Sequence, residues 1–516
     1  MRGAARLFIR AAFPYSHFIS NTQHSKRKRH VMSTLRENTS EQSKGDSLSR
    51  SLSHGQLTMI AMGLALGTGL FLGSSSAIKI AGPGAIVSYA IGSMIAAIIA
   101  ACAGEMSVRH PVQGGFGTIA SRYLNPFSGY ITRWAYWACT VPLAGAELVA
   151  VGHYVAFWFP QVPLWASVTF FGVLILVLNL VSVKSFGALE FLLSSIKVSA
   201  VIVFMVIGLL LVFVGLPNHG ASGVQNLVSE GGFLPNGPMS IWISMAVVMF
   251  SFGGVEMISL SAAEAKDPAR SVASSVKAMI WRLSTFYVVS MAIILCLVPW
   301  QTAAQNSDLT ESPFVLVFSE MGIPFAADIM NFVVLVAALS GANASLYAAT
   351  RLMHALGADK MAPSVAARTT SRGVPMAALL ISFTGVVVAT VMAVAKIGNI
   401  FALLMALVTL CILIVWIMIL LTYQAYKKDQ GNASSFTVLG GRLTAGLALV
   451  GVVGTLVALF MLDGSGVQES IMVGVVFFVL ISAGYVVASR RLGGFKRPDL
   501  DAMHEAEELQ AQSAES

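Results

Sequence analysis

Three ionisable residues sit where apolar sequence ought to exclude them. Glu147, Lys197 and Glu256 each lie inside hydrophobic runs long enough to cross a bilayer. A charged group at the centre of a membrane helix costs about 2.5–3.5 kcal/mol on insertion scales, so each needs a partner or a task. Lys197, in Ser194-Ser-Ile-Lys197-Val-Ser-Ala, falls near mid-depth of its run. Either its long stem reaches a wet interface, or it gains and loses a proton within a working cycle, which withdrawal from water favours. Glu256 follows a glycine pair and suits a local stabiliser or a proton relay, with a cation contact as the alternative. Glu147 suits a relay or a structural hydrogen bond to a neighbouring helix.

Two further stretches offer polar backbone at the same depth. The run MIAMGLALGTGLFLGSSSAIKIA, residues 59–81, carries Gly63, Gly67 and Gly69 at its centre. Residues 241–261 carry Gly253-Gly254 just before Glu256. A glycine in a helix interior costs about 1 kcal/mol relative to alanine. Both stretches read as membrane helices broken at mid-depth, where unwound backbone is tolerated only if it is buried in protein or lines a cavity. The plainer alternative is a close helix crossing. If the helices are broken, a second half-helix starts at Gly67-Thr68-Gly69, and its free amides favour an anion. A first half-helix ends at Phe250-Ser251-Phe252, and its free carbonyls favour a cation. A solute bearing carboxylate and ammonium a bond or two apart, an α-amino acid, would bridge them.

The elements that must position these groups follow from composition and charge. The chain is 56% hydrophobic and 11% charged, with a mean hydropathy of +0.77. Soluble domains carry about 25% charged residues, so an ordinary soluble fold is excluded. Apolar segments fall at 58–81, 84–106, 127–157, 164–183, 189–215, 239–264, 281–300, 314–353, 375–395, 398–424, 443–463 and 470–489. This predicts an all-α polytopic membrane protein of about twelve transmembrane helices. The 314–353 segment is longer than one crossing needs and should tilt or run on past the bilayer as one helix. Of the 32 lysines and arginines, only Lys79 and Lys396 fall on outward joints when the amino terminus is inside. The basic-residue bias therefore predicts a cytoplasmic membrane protein with both termini cytoplasmic. It also assigns the net charge of +8 to the lipid interface, not to nucleic acid. Glu105 and Glu264 fall at cytoplasmic helix ends, where pairing with a nearby lysine or arginine is expected. The four cysteines lie in apolar runs without paired spacing and read as small hydrophobes. No metal-ligand or cofactor spacing is present.

Residues 1–55 read as a polar cytoplasmic tail. Their opening is arginine-bearing with no acid before Glu37, as in amphipathic transit peptides; initiation at Met32 would remove most of that stretch. Residues 56–425 form the expected core of ten helices, 426–490 add two more, and 491–516 form an acidic tail with a disordered composition. The first and sixth segments open two sets of five helices. An odd number per set inverts the second relative to the first, and matched interruptions in two such halves point to a transporter's binding site.

Several motifs carry a family resemblance: GTGLF after an apolar helix start, Ala81-Gly-Pro83, Gly104-Glu105-Met106, the FSFGGVE break, and Glu264-Ala-Lys-Asp267-Pro268. Together they resemble the amino acid permeases of the amino acid–polyamine–organocation superfamily, in its bacterial amino acid transporter branch. The resemblance covers roughly residues 55–425; the last two segments match only in character. It implies a five-plus-five inverted repeat working by alternating access. It also implies that Gly67, Thr68 and Gly69, with Leu70, hold the substrate carboxylate. Phe250, Ser251 and Phe252, with Gly253, would offer carbonyls to the amino group, and Phe250 would be a gating aromatic. Lys197 takes the place where sodium-coupled relatives bind sodium and becomes the proton-coupling group beside Glu256, with Glu147, Ser340, Asn343 and Ser345 as secondary candidates. The expected activity is proton-driven uptake of a neutral amino acid, not an enzymatic reaction. An amino acid or polyamine exchanger without net proton movement and an amino-acid-binding sensor are the alternatives. Oligomeric state is not legible.

Overall fold

The computed structural model describes residues 66–500, apart from 113, 182, 216–219, 262–267, 306–311, 321–324, 371–372, 432–435, 463–466, 492 and 496. The tails at 1–55 and 501–516, the first half of the opening segment and Glu264 lie outside the described residues. Those described fold into helices with no strand. In chain order these are α1 (Thr68–Phe71), α2 (Gly73–Ala81), α3 (Ala85–Arg109), α4 (Gly115–Tyr123), α5 (Pro126–Trp158), α6 (Leu164–Val181), α7 (Val183–Phe213), α8 (Met239–Ser251) and α9 (Met257–Ser261). They continue as α10 (Pro268–Leu297), α11 (Trp300–Gln305), α12 (Pro313–Glu320), α13 (Ala326–Ala358), α14 (Met376–Ser382), α15 (Thr384–Val394), α16 (Ile400–Gln430), α17 (Gly441–Leu459) and α18 (Val467–Arg491).

Every one of the twelve apolar segments carries helix in its described part. Among the described residues, nine helical stretches are long and apolar enough to cross a membrane, and two shorter apolar helices accompany them. Hydrocarbon offers no partner to backbone amides, so an apolar segment that must cross it coils and satisfies itself. The protein is an all-α polytopic membrane protein. Local chemistry sets several boundaries. Asn125 caps α5 by accepting from the Ser128 amide at 2.9 Å, with Pro126 in the first turn, where its missing N–H costs nothing. Asn399 caps α16 through the Ala402 amide at 3.1 Å.

Helix α5 packs against α13, α16, α4, α15 and α6 and is the post around which the site is built. Its crossing with α15 is close: a Cβ at Gly385 would collide with the Val141 carbonyl oxygen, and one at Gly145 would stand 2.9 Å from that of Gly385. Helix α8 packs on α2, α3, α17 and α16, and α3 packs on α10. At the periphery, only 11% of the apolar window of α18 is buried, and Met472, Val473, Val476, Val479 and Leu480 face outward.

The structure corrects some expectations. The 314–353 segment is not one helix, because Phe325, just before α13, stands outside helical geometry. Gly322 and Pro324 precede it in the sequence, and proline in a helix interior removes a donor and clashes with the preceding turn. Phe325 enters α13 with φ +59°. The fifth and seventh segments start earlier than hydropathy suggests, at Val183 and Pro268. Arg497 donates to the Leu124 carbonyl at 2.9 Å and Leu500 is buried, so residues just past α18 pack on the protein. The expected partner of Glu105 is present, in a more secluded setting than a wet helix end. One carboxylate oxygen lies 2.7 Å from Lys427 Nζ. The other accepts from Tyr423 Oη at 2.7 Å and the Val438 amide at 2.8 Å. Glu105 is fully buried.

Candidate functional site

The first break starts at Gly67, which is extended (φ −102°, ψ −160°) and hands over to the short turn α1. Thr68, Gly69 and Leu70 follow inside α1, and all four residues are buried. The Thr68 amide, which the sequence left free for a solute, donates to both oxygens of Glu147 on α5, at 3.3 and 3.4 Å. A buried donor needs a partner, and Glu147 supplies one across the helix interface. The hydrogen bond joins Glu147 on α5 to the start of α1. Thr68 Oγ1 is buried without a hydrogen-bond partner among the described residues.

The second break spans the residues between α8 and α9. Phe250 and Ser251 close α8, Phe252 leaves helical geometry at φ −93° and ψ 0°, and Gly253 is half-buried. Gly254 takes φ +104°, a conformation that a side chain disfavours. Glu256 folds back over this turn. One oxygen accepts from the Gly254 amide at 3.0 Å and the other from Trp416 Nε1 on α16 at 3.0 Å. Glu256 therefore ties the turn of the break to α16. Not all the carbonyls here are free. Phe250 O accepts from the Gly253 amide at 3.1 Å, and Ser251 O accepts from Tyr287 Oη at 2.6 Å. Each keeps a second lone pair for a further donor.

The two breaks touch. A Cβ added to Gly69 would lie 2.5 Å from Ser251 Cα and 3.1 Å from the ring of Phe250. Only glycine lets the backbones approach so closely. Aromatic rings surround the contact. Tyr89 Oη lies 3.3 Å from Ser251 Oγ, Phe252 stacks on Tyr287 at 4.5 Å, and Phe250 meets Phe401 edge-on at 5.9 Å.

Lys197 is fully buried on α7. Its Nζ donates to Ser340 Oγ on α13 at 2.9 Å. Gly341, the next residue, lies against Glu147: a Cβ there would stand 2.7 Å from the carboxylate carbon. The lysine cluster and the first break are thus continuous through Ser340, Gly341 and Glu147. Asn343 accepts from Asn179 Nδ2 at 2.9 Å, and Ser345 is buried nearby on the same helix with its Oγ unpartnered among the described residues. The sequence reading missed Glu190, which is fully buried on α7 and accepts from Ser340 Oγ at 2.5 Å and Ser194 Oγ at 3.1 Å. The signal was available: positions 190, 194 and 197 are spaced to share one helix face. Tyr287, Tyr89 and Trp416 were also missed; each reaches the breaks from a segment distant in sequence.

A helix start at Gly67 and Thr68 and the interrupted helix at 252–256, meeting at a buried point beside carboxylates and a lysine held inside the protein, make the framework of a membrane solute carrier. The family signature described as "Amino acid permease" matches residues 56–492. The chain is 39% identical over 448 residues to "Aromatic amino acid transport protein AroP" of Escherichia coli (strain K12), covering 86% of this chain and 96% of that one. The Shigella flexneri protein of the same name gives the same figures. "Uncharacterized amino acid permease YtnA" of Bacillus subtilis (strain 168) is 38% identical over 383 residues, covering 74% of this chain and 82% of that one. The chain belongs to the amino acid permease family. It is an amino acid transporter and not an enzyme.

Proposed function

We propose that this permease imports a neutral amino acid across the cytoplasmic membrane by proton symport and alternating access. In this reading residues 56–425 form a five-plus-five inverted repeat whose opening helices are the two broken ones. The bias of basic residues supports placing both termini in the cytoplasm. The solute bridges the breaks. Its carboxylate takes the amides at Gly67, Thr68 and Gly69, beside Leu70, and its ammonium takes carbonyls at Phe250, Ser251 and Phe252, beside Gly253. The observation that carries the reading is the continuity from Thr68 through Glu147, Gly341 and Ser340 to Lys197, which lets solute binding and proton binding bear on each other.

Glu147 now holds the Thr68 amide, but at 3.3 and 3.4 Å. Strong charge-assisted bonds run to about 2.7–2.9 Å, so the hold is weak enough for an incoming carboxylate to replace. The rings of Phe250, Phe252, Tyr287 and Phe401 around the contact favour an apolar side chain. The aromatic substrates named for the relatives above make phenylalanine, tyrosine and tryptophan the first to test.

The test uses the full chain in proteoliposomes. A panel of labelled amino acids is offered with and without an inward proton gradient, to wild type and to Lys197→Gln. Gradient-driven accumulation in wild type and its loss in the variant are expected. Accumulation untouched by the gradient would favour exchange, and unchanged gradient dependence in Lys197→Gln would remove Lys197 from coupling.

A further inference from the structure

We propose that Glu190 is the inner proton station of this transporter, receiving through Ser340 the proton that Lys197 gives up. The inference rests on the proton-symport reading above and adds the group that takes the proton onward.

The hydrogen bonds leave little freedom of direction. An ammonium can only donate, so Ser340 Oγ accepts from Lys197 Nζ at 2.9 Å. An ionised carboxylate can only accept, so Ser340 spends its own proton on Glu190 Oε1 at 2.5 Å. In the ionised pair the donors therefore point one way, from lysine through serine to glutamate. One concerted shift completes the transfer. The Nζ–H bond breaks as a new Oγ–H bond forms on Ser340, while the serine's original Oγ–H bond breaks and an Oε1–H bond forms on Glu190. An ammonium and a carboxylate become an amine and a carboxylic acid, and Ser340 ends as a hydroxyl. No charge leaves the cluster, which matters where both groups are fully buried.

Placement gives the transfer an outlet. Glu190 precedes Lys197 by seven residues, about two helical turns or 10 Å along α7. It stands toward the helix end that the basic-residue bias puts in the cytoplasm. The second oxygen, Oε2, is buried without a close donor, and Asn343 on α13 is the further side chain that acts on the carboxylate. Among the described residues, the groups acting on the pair are Ser194 on α7, Ser340 and Asn343 on α13, and Glu147 on α5, which acts on Lys197. Glu147 bonds the Thr68 amide at the solute break and Glu190 bonds Ser340, and both carboxylates act on the lysine.

The experiment compares wild type, Glu190→Gln and Glu190→Asp in proteoliposomes, with labelled phenylalanine, tryptophan and alanine run side by side. Uptake is driven by a proton gradient in one arm and by solute counterflow, which needs no net proton release, in the other. A gradient of about one pH unit supports about tenfold accumulation for one proton, equivalent to about 1.4 kcal/mol. Wild type should approach it. Glu190→Gln accepts from Ser340 but cannot take its proton, so accumulation should fall to the unenergised level while counterflow stays within about threefold of wild type. Glu190→Asp should recover accumulation with a displaced pH profile. Accumulation by Glu190→Gln equal to wild type overturns the station. So does equal loss of both activities in Glu190→Gln and Glu190→Asp, which would mark a structural ion pair. Wild type that ignores the gradient brings down the symport reading itself, and is distinguished by that arm alone.

Discussion

Replacing Gly69 with alanine tests whether the two breaks meet as described. The added Cβ would stand 2.5 Å from Ser251 Cα, 3.0 Å from Ser251 Oγ and 3.1 Å from the Phe250 ring. Carbon atoms pack best at about 3.5–4.0 Å, so the backbones must part by about 1 Å. The hydroxyl and the ring can turn aside, but the Cα cannot. Overpacking of this kind costs about 1–3 kcal/mol, offset by at most about 1 kcal/mol from the better helix propensity of alanine in α1. The larger effect falls on the solute. Parting the breaks by about 1 Å stretches at least one charge-assisted hydrogen bond past useful length, a loss of about 1.5–3 kcal/mol. That corresponds to about a ten- to hundredfold rise in half-saturation for transport. The assay is concentration-dependent counterflow in proteoliposomes, with thermal unfolding in detergent run alongside. Gly446→Ala is the control, because its Cβ would meet only Gln424 Nε2 at an ordinary 3.6 Å. A Gly69→Ala protein that saturates and unfolds as wild type does would refute the contact on which the binding geometry is built.

Other expectations concern the supports of the site. Trp416→Phe removes a donor from Glu256 and leaves a buried carboxylate oxygen short of a partner, which should cost about 1–3 kcal/mol of stability; an unaltered unfolding curve would contradict the role given to Glu256. Lys427→Met strands the buried carboxylate of Glu105 and should lower stability by about 3–5 kcal/mol, while Glu105→Gln combined with Lys427→Met should recover much of the loss. Thermal unfolding of the two single variants and the double variant reads this directly, and simple additivity would speak against a coupled pair.

The features legible in the sequence were those with a local cause. The stretches around Gly67 and Gly253 announced themselves because glycines at the centre of an apolar run are costly without a reason. Lys197 stood out by its expense in hydrocarbon, and the twelve segments by length and hydropathy. What stayed hidden depends on residues far apart in the chain. Nothing near Glu147 says that it reaches Thr68, and nothing near Ser251 says that Tyr287 will donate to its carbonyl. Glu190 was overlooked for a different reason. It lies close to the start of its apolar segment, where a carboxylate reads as a wet helix end, and only the earlier start of α7 at Val183 puts it inside. The break within 314–353 was a misjudged weight: Gly322 and Pro324 count for more than the hydropathy around them.

The family signature runs on to residue 492, past the 425 that the motifs suggested, and the outward side of α18 shows what that last stretch is asked to do. A helix solvated mostly by acyl chains is under pressure to stay greasy but is not asked to match a particular partner. Its valines, leucines and methionines can be exchanged for one another at little expense. Around Gly69 and Gly385 one methyl group is already too much, and there identity itself is what the architecture demands.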